Sequence, residues 1–202
     1  MAPENDRPDI NQRIDGGVGN QQAAGNIINH NYPPDTQKLT SSLSNVLPKI
    51  AASVSSSHPT QTYERPSEIQ AKIDHNNLGS YKIWIDSYGQ YAQDIEAIYD
   101  EIDSDKPGTK NKILGDIRAK YVEAKRQVLS ATSPGLAPDK ILEIVRSNSD
   151  KLVEMVAAAI KAQILASNTE PLEAEDIEPG ILGVVCHAFI NCRILENPPN
   201  VD

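Results

Sequence analysis

The chain has 202 residues, 39% of them hydrophobic, enough for one good core with room for a small extra element. Its formal charge is −9; residues 1–60 hold four Lys/Arg against five Asp/Glu, which leaves 15 against 23 in residues 61–202. An acidic body argues against phosphate backbones and anionic membranes as main partners. MAPENDRPDINQR offers no apolar signal run, and the longest apolar run, ILGVVCHAFI, covers about half a bilayer span. The two cysteines, Cys186 and Cys192, suit a reduced compartment. A soluble, cytoplasmic protein is expected, with no membrane and no direct nucleic-acid partner.

Residues 13–32, RIDGGVGNQQAAGNIINHNY, are rich in glycine and amides and nearly free of charge. The glycines are not a phosphate loop, because no Lys-Ser/Thr follows them, and they lack the dinucleotide fingerprint with its later acidic residue. Ile14, Val18 between glycines, and Ile27 and Ile28 beyond Gly25 read as two short β runs around glycine turns, marginal alone in water. Glycine and amide side chains suit strands that stack on identical neighbours through Asn and Gln ladders. Residues 1–34 are therefore expected to form a β arm or hairpin for oligomerisation. Its residues are Ile14, Gly16, Gly17, Val18, Gly19, Asn20, Gly25, Asn26, Ile27, Ile28 and Asn29. The plainer alternative is a disordered leader.

From residue 35 onward the pattern predicts a mainly α, multi-helix bundle. Residues 35–62 give an amphipathic helix over about 36–56, with Leu39, Leu43, Val46, Leu47, Ile50 and Val54 on one stripe, kinked or split at Pro48. A linker, SSSHPTQTYERP, follows, and Pro66 suits a helix first turn. Residues 63–202 form the main helical domain. Leu78, Tyr81, Ile85, Tyr88, Ala92, Ile95, Tyr99 and Ile102 alternate spacings of three and four, which predicts one long helix; Trp84, Tyr91 and Ile98 add a second stripe. Gly89 inside it marks a close helix approach. SDKPG ends that helix, and further helices are expected over 109–131, over 139–166 (one helix, or two joined near RSNS), and over about 178–195. The last is apolar all round and belongs in the middle of the bundle.

Chemistry is sparse. Adjacent helical residues point about 100° apart, so Cys186 and His187 cannot form a nucleophile–base pair. Cys186 and Cys192, read on the same helix, diverge too far for a disulfide or a shared zinc and are expected to be buried and inert. DSDKPGTKNKIL begins like a calcium loop with Asp103, Asp105 and Gly108, but Pro107 and Leu114 stand where ligands are needed, so it reads as a solvated turn. His30, His58 and His75 lie in polar surroundings with no metal spacing. No enzyme, no cofactor and no metal site are expected. The acidic runs DIEAIYDEIDSD and EPLEAEDIEP are solvated faces in the plainer reading. In the functional one, Asp100, Glu101 and Asp103 form an electrostatic docking surface for a basic partner.

The stretch from PSEIQAKIDHNNLGSYKIWIDSYGQYAQDIEAIYDEID through KNKILGDIRAKYVEAK and PDKILEIV to GVVCHAFINCRILENPP, about residues 66–199, carries a resemblance. With Lys72-Ile73-x-x-Asn76-Asn77, Tyr81, Ile117, Tyr121 and Phe189-x-x-Cys192-Arg193-Ile194-Leu195-Glu196, it resembles the C-terminal helical domain of bacterial ABC-three-component conflict systems. The resemblance implies partners: an SMC-like ABC ATPase and a small middle component, acting against phage or plasmids. In such systems an effector, often a nuclease or protease, precedes the helical domain; here only about 60 residues precede it, without a catalytic constellation. The expectation is a non-enzymatic, oligomerising interaction component of an anti-phage defence assembly. Two alternatives stand beside it: a hydrolytic effector whose site forms on assembly, and a phage-encoded regulator or inhibitor of such a system.

Overall fold

The computed structural model describes residues 40–56, 65–132, 135–167 and 172–199, with the backbone alone of 21–23 and 26–28. The chain divides into two units, Met1–Gln37 and Lys38–Asp202. In the first, Gln21–Ala23 (β1) and Asn26–Ile28 (β2) pair antiparallel, with Gln21 opposite Ile28. The rest of the arm expected over 1–34 lies outside the described residues, including Ile14, Gly16, Gly17, Val18, Gly19, Asn20, Gly25 and Asn29.

The second unit is a mainly α bundle, as the periodicity predicts. Its helices are α1 (Leu43–Ser56), α2 (Ser67–His75), α3 (Tyr81–Gly89), α4 (Ala92–Asp105), α5 (Thr109–Ser130), α6 (Pro138–Ser147), α7 (Ser149–Ala166) and α8 (Ala174–Ile190). The centre is α8, which touches α1, α3, α4, α5 and α7. From Gly180 to Phe189 every residue except Leu182 is buried. A helix apolar on all sides has no face to give to water and must be enclosed.

The enclosure is tightest against α1. A Cβ at Gly180 would lie 2.3 Å from Leu47 Cδ2 and 2.8 Å from the Leu47 carbonyl oxygen; one at Gly183 would lie 2.4 Å from Ile50 Cγ2 and 3.3 Å from the Tyr88 ring. Two glycines three apart thus put a bare strip of α8 against the Leu47–Ile50 turn of α1. Helix α1 runs through Pro48 as one element, whose missing N–H costs it a single backbone bond. Its Leu43, Val46, Leu47 and Ile50 are all fully buried.

Several boundaries differ from the periodicity, the first being α1, which starts at Leu43 rather than near residue 36. The stripe from Leu78 to Ile102 is buried at Leu78, Ile85, Tyr88, Ile95 and Tyr99 and half-buried at the rest. Leu78 precedes the helices, however, and two of them carry the remainder: Gly89 ends α3, Tyr91 sits outside helical geometry at φ −102° and ψ 7°, and α4 starts at Ala92. Glycine is a poor helix former, and the break lets α3 lie on α8 while α4 also reaches α1 and α5. Trp84, expected on a second core stripe, is 44% exposed. Helix α8 starts at Ala174, where Glu175 and Asp176 favour a helix N-terminus, and ends at Ile190, well short of 195.

The close approach predicts opposite outcomes for one type of substitution. Gly180→Ala and Gly183→Ala are expected to cost about 1–3 kcal/mol in denaturant melts, because added volume meets packed atoms. Gly115→Ala, on α5 with nothing within 4 Å of the added Cβ, is expected to gain up to about 1 kcal/mol from helix propensity. A gain at all three sites would contradict the packing.

Candidate functional site

The polar residues of greatest burial gather where α2 and α8 end. Both helices close with a left-handed residue, Asn77 at φ 51° and Cys192 at φ 55°. The Leu78 N–H reaches back to the Ile73 carbonyl at 3.1 Å and the Arg193 N–H to the Ala188 carbonyl at 2.8 Å. These are the six-residue closures of Schellman turns, which satisfy carbonyls the helix leaves open.

The two turns are clasped together. Lys72 is buried; its Nζ donates to the Phe189 carbonyl at 2.7 Å and lies 4.5 Å over the Phe189 ring. Asn76, fully buried, donates from Nδ2 to the Lys72 carbonyl (2.8 Å) and the Glu196 carbonyl (2.7 Å), while its Oδ1 accepts the Glu196 N–H at 2.9 Å. Both N–H donors of that amide and its carbonyl oxygen are engaged. Beyond it, the Glu196 carboxylate accepts from Tyr121 Oη at 2.6 Å and Lys125 Nζ at 2.7 Å, and Ser149 Oγ donates to the Asn76 carbonyl at 2.6 Å. Burial pulls Lys72 down to about 8, which still leaves an ammonium at neutral pH. Burial pushes the Glu196 carboxyl up, but the hydrogen bonds from Lys125 and Tyr121 outweigh it and hold the group below the usual carboxylate range.

A second cluster joins α4, α5 and α8. Lys110 bridges Glu96 and Asp100. Glu96 Oε2 lies 3.1 Å from Nε2 of buried His187, whose ring stacks on Tyr99 at 4.7 Å between centroids. Burial lowers His187 to about 4, against the opposing pull of Glu96. The imidazole is therefore neutral at neutral pH, and its Nε2 faces both Glu96 Oε2 and, at 3.1 Å, Asn191 Nδ2.

The carboxylates expected to form a docking surface have structural partners here. Asp100 pairs with Lys110 at 2.7 Å and Glu101 with Lys49 of α1 at 2.9 Å. Asp103 Oδ1 accepts the Lys110 N–H at 2.9 Å and so caps α5 from the end of α4. Asp103 thus has a partner in the calcium-like stretch, and among the described residues no group of three or more His, Cys, Asp and Glu could hold a metal. Asp150 of α7 likewise caps α3, accepting from the Ser80 and Tyr81 amides at 3.0 and 3.2 Å. Cys186 is buried as expected, its thiol pushed up to about 12 by burial; Cys192 is exposed instead, because the helix has already ended.

The family model for C-terminal domain 10 of the ABC-three component (ABC-3C) systems matches residues 41–196. The chain belongs to this ABC-3C domain family. Comparisons with curated proteins and with solved structures return no match. The match begins ahead of residue 66, where the resemblance in the sequence begins, and takes in α1, which packs against α8. Lys72, Asn76 and the Phe189–Glu196 segment, the pieces that carry the resemblance, are the clasp itself. In this ABC-3C domain they hold the fold's last turn in place. Neither the clasp nor the His187 contact is deducible from periodicity; their one trace in the sequence is polar residues on stripes that are otherwise apolar.

Replacing Asn76 by Ala is expected to cost about 2–4 kcal/mol, since it leaves both backbone groups of Glu196 without their partner. Asn76→Asp should cost at least as much, because a carboxylate then faces two carbonyl oxygens. A loss under 1 kcal/mol for both in denaturant melts would contradict the clasp. His187 gives a pH dependence. Its folded value of about 4 lies below the ordinary 6.5, so the unfolded chain takes up the proton first as pH falls. Its contribution is fully present above about 6.5 and falls by about 3 kcal/mol as pH drops to 4. His187→Gln should flatten that part of the stability–pH curve, and equal slopes in both proteins would exclude His187 as its source.

Proposed function

We propose that this chain is a non-enzymatic interaction component of a prokaryotic anti-phage defence assembly, one that oligomerises and links to an SMC-like ABC ATPase and a middle component. Membership in the ABC-3C domain family over residues 41–196 carries this reading. The use of the polar groups supports it: buried Lys72 and Asn76 and half-buried Asp103, Asp150 and Glu196 cap or clasp helices. Docking falls to the outer carboxylates. The side chains of Asp100 and Glu101 are 63% and 60% exposed. Their surface ion pairs are worth little, so a basic patch on a partner displaces them at small cost. Asp103 is better left to its cap. Self-association is assigned to the N-terminal arm.

Two measurements test this. Co-expression with the ABC ATPase and middle component encoded beside the gene should give a co-purifying complex. Asp100→Lys with Glu101→Lys should slow its association several-fold at low salt with little change in dissociation; failure of the chain to bind either component contradicts the proposal. Light scattering should give a higher mass for the full chain than for one beginning at Lys38, and equal masses would remove the arm from the account.

A further inference from the structure

The outer ridge of α5 reverses the character of the chain. Arg118, Val122 and Arg126 follow one another at intervals of four and share a helix face. Val122 is 52% exposed. Beside it runs a shallow groove lined by Val122, Lys125, Arg126, Leu129 and Ser130. Arg118 Nη1 donates to the Arg193 carbonyl at 3.3 Å, which brings the last turn of the fold to the same ridge. Arg118 Cζ lies 5.5 Å over the Tyr121 ring and its charge helps to lower Glu196, but neither Arg118 nor Arg193 forms an ion pair with a carboxylate among the described residues, although the chain carries a formal −9. The two carboxylates at the ridge are occupied: Glu123 by Arg126, and Glu196 by Lys125 and Tyr121.

We infer that this ridge, Arg118, Val122, Arg126 and Leu129 with Arg193, is a docking surface for an acidic peptide segment of a partner protein that also carries aliphatic side chains. Charge complementarity selects the acidic character: the guanidinium groups of Arg118 and Arg193, which form no ion pair, can fork onto carboxylates with two parallel hydrogen bonds. The exposed valine and the leucine of the groove select the aliphatic part, because covering them removes apolar surface from water. Nucleic acid fits less well. The groove has no aromatic side chain for base stacking, and the acidic remainder of the surface repels a long polyanion. A second copy could offer Glu173, Glu175 and Asp176, but a ridge-to-acidic-end contact joins unlike surfaces and builds rings or open chains, so it would show as a mass that rises with concentration. This inference names a second, oppositely charged contact for an interaction module, and its test needs no other component of the assembly.

The experiment titrates the isotopically labelled full chain with an acetylated peptide, EELLEELLEE, at low salt and follows backbone amide shifts. Shifts are expected to concentrate at Arg118, Val122, Arg126, Leu129 and Arg193, with none from KKLLKKLLKK. Arg118→Gln with Arg193→Gln should weaken binding about tenfold or more through lost charge-assisted hydrogen bonds. Val122→Asp, which leaves both arginines in place, should weaken it independently. Absence of shifts at the ridge overturns the inference. So does equal binding of a dT10 oligonucleotide, which would mark a general anion site. Shifts at the same residues that grow with protein concentration alone, together with a rising mass, would assign the ridge to a second copy and overturn the peptide reading.

Discussion

One helix with no polar face governs this domain. Residues 180–189 of α8 offer water almost nothing but Leu182, so five other helices are arranged to cover them. Coverage from α1 requires a backbone close enough to exclude any side chain at Gly180 and Gly183, and that contact places Leu47 and Ile50. Tyr88, from the end of α3, seals the same strip and donates its hydroxyl to the Pro179 carbonyl at 3.0 Å. The broken α3–α4 pair follows from the same demand, since α3 and α4 both touch the central helix.

Enclosing α8 creates a second problem at its end. The last carbonyls of a helix need partners, and those of α8 lie on buried residues up to Phe189. The solution joins distant parts of the sequence. Lys72 and the Cys192 N–H share the Phe189 carbonyl, and Asn76 pairs with the backbone of Glu196. Helix starts are treated similarly, with Asp103 capping α5 and Asp150 capping α3. Capping from a neighbouring element makes these helix ends depend on tertiary structure.

Much of this was legible in the sequence. The 3.6-residue periodicity marked the helical body, though it began α1 early and ran α3 and α4 together, and the unbroken apolar run around Phe189 marked the central helix. Glycine misled in one place and informed in another: Gly89 ends a helix where it was read as a close approach, while the close approach occurs at Gly180 and Gly183. Cys192 was read as helical because nothing in the string INCRIL marks a left-handed turn normally given to glycine. Asn76 and His187 were invisible as structural groups because their partners lie far along the chain, and periodicity carries no information on contacts at long range. The ridge of α5 was hidden for a related reason: Arg193 reaches Arg118 only after the last turn folds back.

Native-state hydrogen exchange on the full chain tests most directly whether α8 and its enclosure form one cooperative unit. The account predicts that amides of Ile50 and Ala51 in α1 and of Val184, Val185 and Ala188 in α8 share one opening free energy, equal to that of global unfolding. Release of the α1 amides at a distinctly lower free energy, with α8 still protected, would contradict it.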